Sequence, residues 1–115
     1  MKLFNRKNEI NPFPVSDMVT FRNVDKTITL YVRSDAPSIV LGVKNSVDRL
    51  SSLSDESSEN EQIDAALRYA EVIFGKEQAE ALLDFYDKKA LAVITACGMY
   101  FQNRLSKLIT KAQKL

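Results

Sequence analysis

Between Met18 and Arg33, apolar and polar side chains alternate one for one. Val19 and Phe21 alternate with Thr20 and Arg22, and Ile28, Leu30 and Val32 alternate with Thr27, Thr29, Tyr31 and Arg33. A period of two with β-branched and aromatic residues predicts two strands sharing one buried face, with Asn23-Val24-Asp25-Lys26 turning between them in a hairpin over 18–33. A two-stranded ribbon is marginal in water, so its apolar face needs helices or the sheet of another chain. Before it, Pro12 and Pro14 fix φ and lack N–H groups, which predicts an extended leader over 1–17.

From Ser34-Asp35-Ala36-Pro37 onward the period lengthens to three and four residues. Asp35 suits an N-cap and Pro37 a first helical turn, and Val40, Val43, Val47, Leu50 and then Leu53 mark the apolar face of a first helix. Its β-branched residues and Gly42 lower helix propensity, so a short strand over 38–43 is the rival reading. Ser51 to Asn60 is polar and acidic and predicts a flexible linker over about 51–60. Ser58 and Glu61 then stand at capping-box spacing ahead of a helix faced by Ile63, Ala66, Leu67, Ala70, Ile73 and Phe74, with Gly75 as its left-handed C-cap. A third helix runs from Glu77 to about Tyr86 on Ala79, Leu82, Leu83 and Tyr86. A fourth runs from about Lys88 to Lys114 on Ala90, Ile94, Cys97, Phe101, Leu105, Leu108, Ala112 and Leu115. Asp87 caps this fourth helix in one reading; in the other, a continuous rod extends from Glu77.

The predicted fold is therefore α+β and mainly α, an N-terminal β-hairpin followed by three or four amphipathic helices. It forms one domain over 18–115, with its helical part over 36–115. At 1.5 Å per residue the last helix would span roughly 40 Å, longer than the domain's own core requires, which leaves apolar surface for a partner.

Charge sharpens this picture. The 16 basic and 15 acidic residues nearly balance, yet Lys88 to Leu115 holds six bases and no acid, whereas Asp55 to Asp87 holds ten acids and two bases. Four of those bases, Arg104, Lys107, Lys111 and Lys114, step by three, four and three along one side of the last helix. Three readings stay open for them: complementing the helix dipole, pairing with acidic residues of the same or a neighbouring copy, and contacting nucleic acid, which the low net charge disfavours. Pairing of opposite patches between copies would make the chain self-associate.

Candidate chemistry is sparse. The chain has no His, a single Cys and three dispersed glycines. No intramolecular disulfide, imidazole proton shuttle or glycine-rich phosphate loop can therefore be assembled. Cys97 falls on an apolar stripe and reads as a core thiol, while the pairs Asp84/Asp87 and Glu77/Glu80 read as solvated surface. No catalytic, cofactor-binding or metal-binding residue is predicted, and no run of about 18 apolar residues suggests a membrane span. The reading is of a non-enzymatic interaction protein in a reducing compartment, with Ile94, Phe101, Leu105 and Leu108 as its apolar contact face and Arg104, Lys107, Lys111 and Lys114 beside it.

The segment Tyr69-Ala70-Glu71-Val72-Ile73-Phe74-Gly75-Lys76-Glu77-Gln78-Ala79-Glu80-Ala81-Leu82-Leu83-Asp84-Phe85-Tyr86, between a short hairpin and a closing helix that contains Val93-Ile94 and Tyr100-Phe101, resembles the tail assembly chaperones of long-tailed bacteriophages and prophages. The likeness spans 21–114 and rests on an aromatic-Gly-x-Glu step between helices and a basic ending. It implies a short-form chaperone acting in the host cell cytoplasm, which coats the tape measure protein until tail tube subunits assemble around it. Small helical regulatory or nucleic-acid-associated proteins, and structural neck or tail components, are the alternatives.

Overall fold

The computed structural model describes residues 13–54 and 56–113. Two strands, β1 (Pro14–Asn23) and β2 (Lys26–Asp35), form an antiparallel hairpin, followed by α1 (Ala36–Ser51), α2 (Glu59–Phe74) and α3 (Lys76–Phe85). A last rod comprises α4 (Ala90–Tyr100), a π-helical turn (Phe101–Leu105) and α5 (Ser106–Gln113). The α+β, mainly helical architecture matches the sequence expectation.

The hairpin is longer than predicted. Residues 14–17, assigned to the leader, belong to β1, because Pro14 opposes Asp35 and the ladder continues without a break to Asn23 and Lys26. Pro14 is tolerated at the first position of an edge strand, where its missing N–H disturbs no ladder bond. The rest of the predicted leader, 1–12, lies outside the described residues. Val15, Phe21, Leu30 and Val32 are buried on the inner face. The outer edge of β2 is closed at Tyr31 by the Gln78 side-chain amide, which accepts from Tyr31 N–H at 2.8 Å and donates to its carbonyl at 2.7 Å. A side chain thus occupies the place of a third strand, a protection against edge-to-edge pairing.

Asp35 caps α1 as predicted, its Oδ1 accepting from Ser38 N–H at 2.9 Å, and 38–43 is helical rather than extended. The apolar face is rotated from the predicted one: Ala36, Ile39, Val43 and Ser46 are buried, whereas Val40 and Val47 are exposed. Both rows have helical spacing and share Val43, so period alone does not choose between them. Contact with β2 and α2 sets the phase. Gly42 lies where α1 and α2 approach closely, since a Cβ added there would sit 2.8 Å from both Cβ and Cγ1 of Val72. Gly42→Ala is accordingly expected to destabilise the fold by about 1–2 kcal/mol in chemical denaturation, despite the higher helix propensity of alanine. Adding Val72→Ala should return part of the loss relative to the sum of the single changes.

The connection to α2 is shorter than the predicted 51–60 linker, because Ser51 completes α1 and α2 already starts at Glu59. The predicted capping box is present: Ser58 Oγ accepts from Glu61 N–H at 3.1 Å, and Glu61 Oε1 accepts from Ser58 N–H at 2.9 Å. Gly75 separates α2 from α3 at φ 86° and ψ 163°, outside the expected left-handed helical well but still in a region open essentially to glycine. The continuous rod from Glu77 does not form. Lys88 N–H bonds Leu83 carbonyl at 2.8 Å and Asp87 N–H bonds Asp84 carbonyl at 3.0 Å, a Schellman closure of α3 with Asp87 and Lys88 both near φ 60°. Asp87 therefore ends one helix rather than capping the next, and Lys89 occupies the N-cap of α4.

Core residues from all parts of the chain meet around α2, which contacts α1, α3, α4 and β2. The rings of Phe21, Phe74 and Tyr100 form a cluster: Phe74 stacks on Tyr100 at 5.8 Å and meets Phe21 edge-on at 5.8 Å, while Phe21 and Tyr100 lie 6.2 Å apart.

Candidate functional site

The last rod carries the described contact residues predicted from sequence, and its inner face keeps Ala90, Cys97, Leu105 and Ala112 of the predicted stripe while taking Val93, Tyr100 and Ile109 in place of Ile94, Phe101 and Leu108. Ala90, Val93, Cys97, Tyr100, Leu105, Ile109 and Ala112 are buried. Steps of three and four give way to a step of five between Tyr100 and Leu105, across the π turn. One extra residue in that turn shifts the helix face, so that Leu105 rather than Arg104 follows Tyr100 into the core. Ile94, Phe101 and Leu108 are left on the flank, half-buried against the core.

The predicted contact residues are therefore divided. Leu105 is fully buried and belongs to the core of this chain. Arg104 is engaged internally: its Nε and Nη2 donate to Asp17 Oδ2 and Oδ1 at 2.6 and 2.8 Å. The acidic partner comes from β1 and not from the Asp55 to Asp87 block. Phe101 and Leu108 are half-buried, Lys107 and Lys111 are exposed, and Lys114 lies outside the described residues. Leu108 and Lys111 line a crevice with Pro14, Val15 and Ser16 at the start of β1.

Asp17 also accepts from Tyr100 Oη at 2.7 Å. Hydrogen bonds from Arg104 are the main reason that its carboxyl falls from the ordinary 3.8 to about 2; burial opposes the shift, and Tyr100 assists it. Burial, and then the Asp17 bond, push the Tyr100 hydroxyl upward. This cluster locks β1 to the π turn. Its carboxylate is already occupied by a guanidinium and a phenol, so it is not poised to take a proton from a substrate. Cys97 is fully buried, and burial raises its thiol to about 12, as suits the predicted core thiol. Among the described residues, no group of three or more His, Cys, Asp or Glu could hold a metal ion, and no helix is long and apolar enough to cross a membrane.

The surface that sequence reasoning missed lies on the opposite side of α4. Leu91 is 75% exposed and Met99 57% exposed. They border an open, mainly apolar groove with Ala92, Thr95 and Ala96, closed at one end by Tyr86 and Lys89. The signal was present in the chain: Ala90-Leu91-Ala92-Val93-Ile94-Thr95-Ala96-Cys97-Gly98-Met99-Tyr100 contains no charged residue. A helix that is apolar all round ordinarily has every side covered, whereas the fold of this chain covers only one. The small Ala92, Thr95 and Ala96 between the larger Leu91 and Met99 allow a second helix to approach closely. No protein-family model, curated protein or solved structure matches the chain.

Proposed function

We propose that this protein is a non-enzymatic tail assembly chaperone of a long-tailed phage, which covers an apolar helix of the tape measure protein with the outer face of α4 in the host cell cytoplasm. The observation that carries this reading is a charge-free helix of eleven residues, Ala90–Tyr100, with Leu91 and Met99 left in water. Burying a Leu or Met side chain contributes about 1.5–3 kcal/mol. Two such anchors on a shallow groove hold a helical segment firmly enough to shield it and loosely enough for tail tube subunits to displace the chaperone. The resemblance of 21–114 to tail assembly chaperones supplies the identity of the partner, and the groove on α4 supplies a surface of the right chemistry.

Co-expression tests the reading. The wild-type chain is expected to keep its cognate tape measure protein soluble and to capture it on an affinity resin. The doubly substituted Leu91→Asp, Met99→Asp chain should capture at least about tenfold less while unfolding at an unchanged temperature, because both side chains project into solvent. Equal capture by the folded double variant would rule out α4 as the docking face.

A further inference from the structure

The exposed row that begins on α4 continues past the groove. Leu91, Thr95, Met99, Asn103, Lys107 and Lys111 follow one another at four-residue steps, and every one is exposed. In a regular α-helix such a row drifts around the axis by about 40° per step; the wider π turn at Phe101–Leu105 reduces that drift at the middle of the row. The row carries Leu91 and Met99 in its first half and Lys107 and Lys111 in its second. Arg104 does not contribute to the basic half, being held by Asp17. The midpoint of the row is polar and uncharged: Gln102 and Asn103 are both exposed.

We infer that the helix accepted by this surface is itself two-part, with about two turns of apolar stripe followed, after about one turn of uncharged residues, by a pair of acidic side chains that face Lys107 and Lys111. The inference rests on α4 being the docking face and specifies what docks there. Burial of the apolar stripe on Leu91 and Met99 supplies affinity. The acidic end supplies direction: a helix docked the wrong way round meets only Lys89 along the groove and leaves Lys107 and Lys111 without partners. The charge pattern thus favours one orientation of the bound helix by two lysines against one, and sliding by one turn along the groove weakens the match in the same way. Opposite charges also raise the encounter rate at low salt.

Fluorescence anisotropy with the full chain tests this. The probes are synthetic helices that share one leucine stripe and carry Glu, Gln or Lys pairs beyond it, each pair placed in turn at the N- or C-terminal end. At low ionic strength one of the two Glu-ended helices should bind about tenfold tighter than its Gln counterpart, and the Lys-ended helices weakest. Lys107→Glu with Lys111→Glu should invert the order of the Glu- and Lys-ended helices, and the advantage should shrink in 0.5 M salt. Equal affinity for all probes, or binding retained by the folded Leu91→Asp, Met99→Asp chain, would overturn the inference. So would a stable dimer of the chain, seen by sedimentation, that is lost in the same double variant, since a second copy would then fill the groove. Probe binding in the expected order without capture of a tape measure protein would remove the phage reading and leave this one standing.

Discussion

Phe74→Ala is expected to lower the unfolding free energy by about 3–5 kcal/mol. Phe74 is the last residue of α2, and its ring touches two others that arrive from distant parts of the chain, Phe21 on β1 and Tyr100 at the end of α4. Removing it deletes the stacked and the edge-on contact together and leaves a cavity between β1, α2 and α4. A small domain has only about 5–15 kcal/mol in total, so the alanine variant should lose a large fraction of its stability. Phe74→Leu keeps most of the volume and should cost about 1–2 kcal/mol. Denaturant titration of both variants checks the pair; a loss below about 1 kcal/mol for the alanine variant would show that the ring is not a shared element of the core.

Features encoded by neighbouring residues could be read from the chain, and features set by distant packing could not. Asp35, the Ser58 and Glu61 box and Gly75 each act within a few residues, and each stands where spacing placed it. The hairpin was recognised by its two-residue period, but its first turns were not, because Pro12 and Pro14 argue for a leader and Asp17 interrupts the apolar alternation. Asp17 faces inward all the same, since Arg104 and Tyr100, more than eighty positions away, satisfy it. The phase of α1 and the Ile94, Phe101 and Leu108 part of the predicted face of the last rod failed for a related reason. Spacings of three and four fit two adjacent rows equally well on α1, and on the rod a one-residue π insertion changes the row halfway along. The exposed face of α4 was missed because of that second failure. A single continued stripe through Phe101, Leu105 and Leu108 draws attention to side chains that the fold itself half or wholly covers, and away from Leu91 and Met99.

Asp17→Ala is expected to cost about 2–3 kcal/mol at neutral pH, with a pH dependence that identifies its cause. The larger part comes from Tyr100, whose buried hydroxyl loses its acceptor at 2.7 Å. Arg104 is well exposed and returns to water when the carboxylate is gone, so the uncompensated-charge penalty of a sealed ion pair does not apply. The sign follows from the carboxyl itself. Folding lowers Asp17 from the ordinary 3.8 to about 2, so the unfolded chain takes up the proton first as the solution is acidified. The charged form therefore stabilises the fold at every pH above about 3.8, and the contribution is lost as pH falls through about 2. This linked part is on the order of 1 kcal/mol, given the solvent screening at the guanidinium. Wild type and Asp17→Ala should differ by a constant amount from pH 7 to about 4 and approach one another in stronger acid. Asp17→Asn, which keeps an acceptor for Tyr100 and loses the charge, should fall between them at pH 7. Urea unfolding across this range measures the gap. A difference that stays the same down to pH 2 would assign the loss to packing at the π turn and not to the Asp17 charge.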